Sequence, residues 1–463
     1  MSRKGGVLSG GFQPLKAPNA PTIDSVSAGV LSADVTVSAP SNTGDGTVSG
    51  YVVTAKQSDG SLATGTASSA GAVSVTLTAG GTTEFAAQAF SEYGPGQFSG
   101  FGNSTSIFTG QELYSTGEND VGQLGRGTTG VYLQLGQIGG LTTWASGSSS
   151  KDFMRAIKTD GTLWSWGRAN NGETGQNTNQ SSSSPVQIGA STDWQSVSQG
   201  CSATHTLALK TTGSLWSWGR GYAGSLGRDS VLTTSSPAQV GGLTNWSQVA
   251  NNDEFSGAVK TDGTLWMWGN NYAGRLGINN IIKKSSPVQV GALTDWYKVS
   301  LGVGFTAALK TDGTLWTWGQ GNSGRLGHND EVKRSSPVQV GALTTWSQVS
   351  AGGGFTVAIK TDGTLWTWGD GGNGRLGQNS VINISSPVQV GALTNWSQVS
   401  ASSQGVMAVK TDGTLWGWGE NGLAELGSSP PFDRSSPVQV GALTNWTYVS
   451  GGDKMNLAIL GTT

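Results

Sequence analysis

The fold is decided by Ser386-Pro387-Val388-Gln389-Val390-Gly391-Ala392-Leu393, continuing through Trp396-Ser397-Gln398-Val399-Ser400, Ala408-Val409-Lys410, Thr411-Asp412-Gly413-Thr414 and Leu415-Trp416-Gly417-Trp418-Gly419. These runs are short, rich in Val, Trp and Thr, and broken by turn residues, which predicts strands. Asp412-Gly413 between two such runs predicts a two-residue type I′ hairpin, a turn that needs φ > 0. The stretch therefore supplies four strands: Pro-Val-Gln-Val, Trp-x-x-Val-Ser, Ala-x-Lys and Leu-Trp-x-Trp. Alternation puts both members of a Trp-x-Trp pair on one sheet face, ready to pack on a neighbouring sheet. Removing one of them, as in Trp366→Ala, is expected to cost about 3–5 kcal/mol.

The pattern recurs. Isolated tryptophans stand at 144, 194, 246, 296, 346, 396 and 446, and pairs at 164/166, 216/218, 266/268, 316/318, 366/368 and 416/418. The spacing is 50 throughout, with a single 52. Where a seventh pair is due, the chain reads Leu113-Tyr114-Ser115-Thr116-Gly117, a degraded Leu-Trp-x-Trp-Gly. Seven periods fill residues 112–463. Units of four strands in that number fit a β-propeller, which has four to eight blades. The last unit stops at Ala458-Ile459-Leu460, before its Trp-x-Trp strand, and the strand at Leu113 to Gly117 has no unit of its own. Pairing the two would remove the exposed edges. The expected fold is all-β, a seven-bladed propeller closed by its N- and C-terminal strands and preceded by a small β-sandwich. Residues 1–16 form a Gly-rich anchoring arm in this scheme, 17–108 the sandwich and 109–463 the propeller.

Val-Ser-x-Gly, then His or Phe before Ala-x-Lys-Thr-Asp-Gly-x-Leu-Trp-x-Trp-Gly, then Gly-x-Leu-Gly, resembles the regulator-of-chromosome-condensation repeat. The best single match is Gly200-Cys201 followed by His205-Thr206-Leu207-Ala208-Leu209. The resemblance implies the propeller but no one activity, since that family includes a guanine-nucleotide exchange factor and secreted β-lactamase inhibitors. The exchange factor inserts a β-hairpin wedge into one blade, and the near-constant spacing leaves no room for one. Nucleotide exchange is therefore not expected. Residues 17–108 resemble a fibronectin type III sandwich in their order of Pro18 to Pro21, Gly50-Tyr51, Phe85 to Ala89 and Tyr93-Gly94-Pro95-Gly96. Phe85 stands where that family has its corner tyrosine, and no Trp occupies the early core strand. The implied role is a spacer.

Composition narrows the function. Of 463 residues 12% are charged, with 26 basic against 28 acidic, and from Glu112 onward the two signs balance. Bulk electrostatics therefore draw in neither nucleic acid nor an anionic membrane. Cys201 has no partner for a disulfide. The first residues lack an apolar run of secretory length, and no run approaches the length of a membrane span. Synthesis in a cytoplasm is expected. Three Gly-x-Gly-x-x-Gly matches, at Gly219 to Gly224, Gly319 to Gly324 and Gly369 to Gly374, lead into another strand. A dinucleotide site requires a helix there, so they are read as turns. His205 shares a repeat column with Phe153, Phe255, Phe305 and Phe355 and is read as core; His328 has no companion at ligand spacing. Asp160, Asp262, Asp312, Asp362 and Asp412 occupy hairpin turns, where Asp tolerates φ > 0. No catalytic constellation assembles, so an enzyme, a cofactor and a metal are not expected.

The repeats also compare themselves. Thr-Asp-Gly-Thr and Gly-Ala-Leu-Thr barely vary, whereas the loop after Val-Ser and the long loop after Trp-Gly vary strongly. In an antiparallel four-stranded unit those two variable loops share one face, and recognition usually resides in such loops. One column of the long loop is apolar, Leu232, Ile282, Val332, Ile382 and Phe432, and is read as packing. The neighbours Arg220, Tyr222, Asn271, Tyr272, Lys283, Lys284, Lys333, Arg334, Asp433 and Arg434 are the candidate contacts with a protein or glycan ligand. Arg3, Lys4, Phe12 and Lys16 are the candidate anchors of the arm. The layout resembles structural proteins of tailed bacteriophages. It implies a non-enzymatic virion fibre, spike or decoration protein, anchored to other virion proteins by its arm and presenting the propeller to a host surface or a neighbouring virion protein. The alternative is a bacterial regulatory or inhibitory propeller, cytoplasmic, that binds a protein.

Overall fold

The computed structural model describes residues 16–29, 31–78, 80–107 and 110–462. Arg3, Lys4 and Phe12 lie outside them. Lys16 is exposed, and its main-chain amide donates to the Asp45 carboxylate at 2.6 Å. The chain divides into two compact units: one runs to Gly110 and also takes in Gly461 and Thr462, and the other is Gln111–Leu460.

The first unit holds β1 (Thr22–Gly29), β2 (Ser32–Ser38), β3 (Val48–Lys56), β4 (Leu62–Ala67), β5 (Gly71–Thr76), β6 (Gly81–Ser91), β7 (Gly94–Phe98) and β8 (Asn103–Ile107). Two antiparallel sheets result, β1-β2-β5 and β4-β3-β6-β7, with β8 also paired to β6. Period-2 alternation sends Val35, Val37, Val73 and Val75 inward from one sheet, and Tyr51, Val53, Phe85 and Ala87 from the other, into a single buried cluster.

The second unit holds seven four-stranded antiparallel sheets. One sheet shows the design: Trp346–Ala351, Phe355–Lys360, Leu365–Gly369 and Ile384–Gln389 pair in sequence order. Trp346 of its first strand meets Trp366 and Trp368 of its third, with ring centroids 6.1 and 6.0 Å apart. Edge-on contacts at this distance are the favoured aromatic geometry. Trp346 and Trp368 pack with Val349 and Ala358 against Phe305, Leu309, Leu315 and Leu326 of the preceding sheet. Equivalent clusters join each sheet to the next. One sheet differs in origin, because its strands Gly110–Gly117 and Tyr132–Gln137 come from the start of the unit, while Met455–Thr462 and Trp446–Gly451 come from the end. Through Leu113, Leu457 and Ile459 it packs on the Trp144 sheet, and through Val449, Ala458 and Leu460 on the Trp396 sheet.

Three expectations are corrected. The first concerns the Trp pair: Trp368 is fully buried, but Trp366 is only partly buried. Its indole N–H donates to the Thr364 hydroxyl at 2.8 Å, and the Lys360 ammonium lies 3.6 Å from its ring centroid. The second is the hairpin. The amide of Gly161 donates to the Lys158 carbonyl and that of Lys158 to the Thr162 carbonyl, which makes a three-residue loop. Only the glycine is left-handed, with φ of 77° at Gly161 and 75° at Gly413. This is the alternative in which a turn is followed by one left-handed residue. The third follows from it: the aspartates do not have positive φ. Each instead accepts from the threonine two residues on, as Asp362 does from the Thr364 amide at 3.0 Å and hydroxyl at 2.6 Å. Those hydrogen bonds hold the carboxyl below the usual range.

His205 lies in the core, with its Nε2 2.7 Å from the Ser256 hydroxyl. Burial, reinforced by the nearby Arg155 guanidinium, pushes its pKa down to about 3. The unfolded chain therefore takes up a proton near pH 6.5 that the folded chain refuses. Stability carried by neutral His205 is complete above that pH and declines as pH falls toward 3, by about 1.4 kcal/mol per unit. His205→Phe restores the residue of the neighbouring repeats. Between pH 7.5 and 5 it is expected to lose about 2 kcal/mol less unfolding free energy than the parent. Urea titrations at both pH values measure the difference, and equal losses would remove His205 from the acid response.

Candidate partner-binding face

Because strands pair in sequence order, the first and third connections of each sheet emerge at one end and the second and fourth at the other. The third connection is the long variable loop. After Trp-Gly it enters a single 3-10 turn, Tyr222–Gly224 or Tyr272–Gly274, and then a buried leucine, Leu226 or Leu276. The Gly-x-Gly-x-x-Gly stretches thus end in three-residue turns, without the helix a dinucleotide site needs. A glycine clamps each loop to the next sheet: a Cβ on Gly277 would stand 2.6 Å from the Trp318 indole nitrogen, at a φ of 70°. The Trp318 N–H in turn donates to the Arg275 carbonyl at 2.9 Å. The loop bases are fixed, so the tips are held in place relative to one another.

At those tips the apolar column is exposed, contrary to the packing expected of it. Leu232, Ile282, Val332, Ile382 and Phe432 are 59–72% accessible. The main chain packs instead: the Leu232, Val332 and Ile382 carbonyls lie so close over Gly221, Gly321 and Gly371 that a Cβ there would come within 2.4 Å. The column's regularity thus reflects a buried backbone, and its side chains point outward. Val231, Ile281 and Val381 beside it are exposed too, a second apolar position that sequence comparison did not single out.

The structure gathers some candidate residues and separates others. Arg220 and Lys283, from successive loops, both approach the exposed Tyr222 ring, at 5.3 and 6.0 Å from its centroid. With Ala223, Val231 and Ser285, Tyr222 and Lys283 line a cleft of about 390 Å³. One repeat on, Tyr272, Ile281 and Lys283 face Lys333, Gln320 and Asn322 across a cleft of about 300 Å³. Tyrosine from one loop and lysine from the next thus recur as a unit. Asn271 is corrected: it is fully buried, and its side chain ties the loop by donating to the Asn280 and Ile282 carbonyls and accepting from the Leu276 amide. Arg334 is committed to Asp330 through two parallel bonds of 2.9 and 2.8 Å, which hold that carboxyl down at about 2. Asp433 accepts from the Asn421 amide at 2.9 Å. Lys284 and Arg434 are half-buried at the start of outer strands. His328 is spoken for locally, 2.9 Å from the Thr317 hydroxyl. Among the described residues no three His, Cys, Asp or Glu side chains converge as a metal site.

An apolar rim with aromatic–cationic clefts has the composition of a protein-contact surface. Crystal structures of Prp20p from Saccharomyces cerevisiae and of human WBSCR16 superpose with TM-scores of 0.69 and 0.68, each at 18% identity over 76% of this chain and 92% and 99% of theirs. These likenesses concern the fold. In sequence, the chain is similar to the ultraviolet-B receptor UVR8 of Arabidopsis thaliana, 32% identical over 147 residues, which is 31% of this chain and 33% of the receptor. It is also similar to human protein RCC2, 36% identical over 99 residues, 21% of this chain and 19% of that one. The matched part is thus a third or less of each relative's length. The family model for the RCC1-like domain matches residues 96–404, and that for the regulator of chromosome condensation (RCC1) repeat matches residues 412–459. The chain belongs to the RCC1-like domain family.

Proposed function

We propose that this protein is a non-enzymatic, protein-binding regulatory propeller that takes its partner on the variable face. The observation that carries this reading is the rim of exposed aliphatic tips, Val231-Leu232, Ile281-Ile282 and Val381-Ile382, around the tyrosine–lysine clefts. Paired aliphatic side chains held out in water favour a protein surface over a glycan. A relative lends support: yeast RCC1 (Prp20) has binding properties toward Gsp1p and histones and has a crystal structure with Kap60. The seven sheets are read as seven blades closed by the sheet of mixed origin. The first unit is read as a fibronectin type III-like spacer. The virion role expected from the layout draws nothing from these relatives, and the regulatory reading takes precedence over it.

The test is a comparison of faces. A Tyr222→Ala/Tyr272→Ala/Lys333→Ala variant is expected to weaken partner capture by about tenfold or more, as loss of aromatic and cationic anchors does. Its melting temperature should stay close to that of the parent, since all three side chains are exposed. Leu293→Ala/Leu343→Ala, on the opposite connections, should leave capture unchanged. If the second variant proved the more damaging, the face would be misassigned.

A further inference from the structure

The first strands of all seven sheets line a cavity of about 340 Å³ that runs between them. Its wall is built from a repeated bridge. Two residues after the isolated tryptophan, Gln248 accepts from the Val299 amide of the next sheet at 3.0 Å and donates to the Val299 carbonyl at 3.0 Å. Gln398 accepts from the Val449 amide at 3.0 Å, and Gln348 reaches the Ser397 carbonyl. Two residues further on, the Ser300, Ser350 and Ser400 hydroxyl oxygens accept from the amides of Ala351, Ala401 and Gly451 at 2.9–3.0 Å. Those bonds use the serine oxygens and leave the hydroxyl protons to be donated.

Lys298 breaks this pattern. It stands in the glutamine column and lines the cavity. An ammonium has no acceptor, so it cannot take the Val349 amide as a glutamine would. It is also the one charged side chain in the lining, which contains no carboxylate among the described residues. Among the described residues no side chain pairs with it as an ion pair or hydrogen bond. Across the cavity Tyr448 donates to the Gly147 carbonyl at 2.8 Å and accepts from Gln199. Ser300 and Ser350 line the cavity together with Lys298.

We infer that this cavity binds a small monocarboxylate, with Lys298 as counter-charge and the Ser300 and Ser350 hydroxyls as donors to its oxygens. Lys298 is half-buried, and an oxyanion beside its ammonium at the cavity wall gains charge attraction that water alone does not supply. Burial alone depresses the Lys298 amine, with no carboxylate to oppose it. A single positive charge matches a carboxylate, which carries one negative charge, better than phosphate, which carries more than one on average near neutral pH. The volume lies at the small end of ligand cavities. The cavity shares no lining residue with the tyrosine–lysine clefts and does not depend on the function proposed above.

The test uses sodium acetate, inorganic phosphate and chloride as probes at constant ionic strength. The readout is the ε-carbon resonance of Lys298 in 13C-lysine-labelled full-length protein, assigned by its absence in Lys298→Gln. Acetate is expected to shift that signal saturably and to raise the melting temperature of the parent. In Lys298→Gln, the acetate-dependent stabilisation should be weakened about tenfold or more. That variant should fold and melt at or above the parent, because it restores the residue of three other repeats. An unmoved signal, a chloride shift equal to that of acetate, or the same acetate-dependent stabilisation in both proteins would overturn the site. Tighter binding of phosphate than acetate would overturn the carboxylate assignment. A Lys298→Gln variant far less stable than the parent would overturn the reading of Lys298 as a departure from the bridge.

Discussion

Replacing Trp318 with alanine is expected to lower unfolding free energy by about 3–5 kcal/mol, the cost of deleting a large aromatic from a packed core. Trp318 is fully buried. Its ring lies 6.0 Å from Trp296 and packs with Val299 and Ala308 against Phe255, Val259 and Leu276 of the preceding sheet. Its N–H is one of two donors to the Arg275 carbonyl, the Thr306 hydroxyl being the other, so alanine would open a cavity and remove one of that acceptor's two bonds. Trp316, two residues earlier on the same face, separates packing from mere aromatic content. It is partly exposed, donates to the Thr314 hydroxyl at 2.9 Å, and carries the Lys310 ammonium 4.4 Å from its ring centroid. Trp316→Ala should cost about 1–2 kcal/mol, the scale of an aromatic contact and a cation–π pair. Urea denaturation of both variants, with slopes compared to confirm a common unfolded state, decides the matter. Equal losses would mean that the inter-sheet lattice does not rest on the inner tryptophan.

This contrast shows where sequence reasoning reaches its limit. A tryptophan period of 50 is a statement about backbone repetition, and the seven sheets follow it. Strand alternation says which face a side chain takes, but it does not say how far along the strand the neighbouring sheet extends. Trp316 and Trp318 were therefore indistinguishable, though only one reaches beneath the preceding loop. The apolar column failed for a related reason. Leu232 and Ile382 recur because their carbonyls cover a glycine, and a recurring letter does not reveal whether its side chain or its main chain is packed. Asn271 varies among repeats as a contact residue would, yet it is buried and binds its own loop. The Tyr222–Lys283 and Tyr272–Lys333 units join residues from different repeats, so only the juxtaposition of successive loops exposes them. Lys298 was visible as a letter out of column. Its meaning required the bridge that the glutamines make.

Deleting Met455–Thr462 is expected to abolish the cooperative unfolding transition of the second unit. The strand lies between Gly110–Gly117 and Trp446–Gly451 in the sheet of mixed origin, so its loss breaks pairing on both sides. It also removes Met455, Leu457 and Ile459 from the cluster facing the Trp144 sheet, and Ala458 and Leu460 from the one facing the Trp396 sheet. Two architectures respond differently. In an open array each unit leans only on its neighbours, so trimming one end costs roughly one interface and leaves the rest folded. In a ring the same deletion opens the circle, frees edges on two strands of the sheet, and leaves Gly110–Gly117 and Tyr132–Gln137 as an isolated pair, which is marginal alone in water. Tryptophan fluorescence during thermal unfolding reads the outcome directly, because all 19 tryptophans lie in this unit. A sharp transition within a few degrees of the parent would show that the sheets stand as an open stack, and the closed propeller would have to be given up. Adding the deleted segment back as a separate peptide provides the converse measurement. In a ring it should bind and restore the transition, and a point change such as Leu457→Asp in the peptide should prevent both.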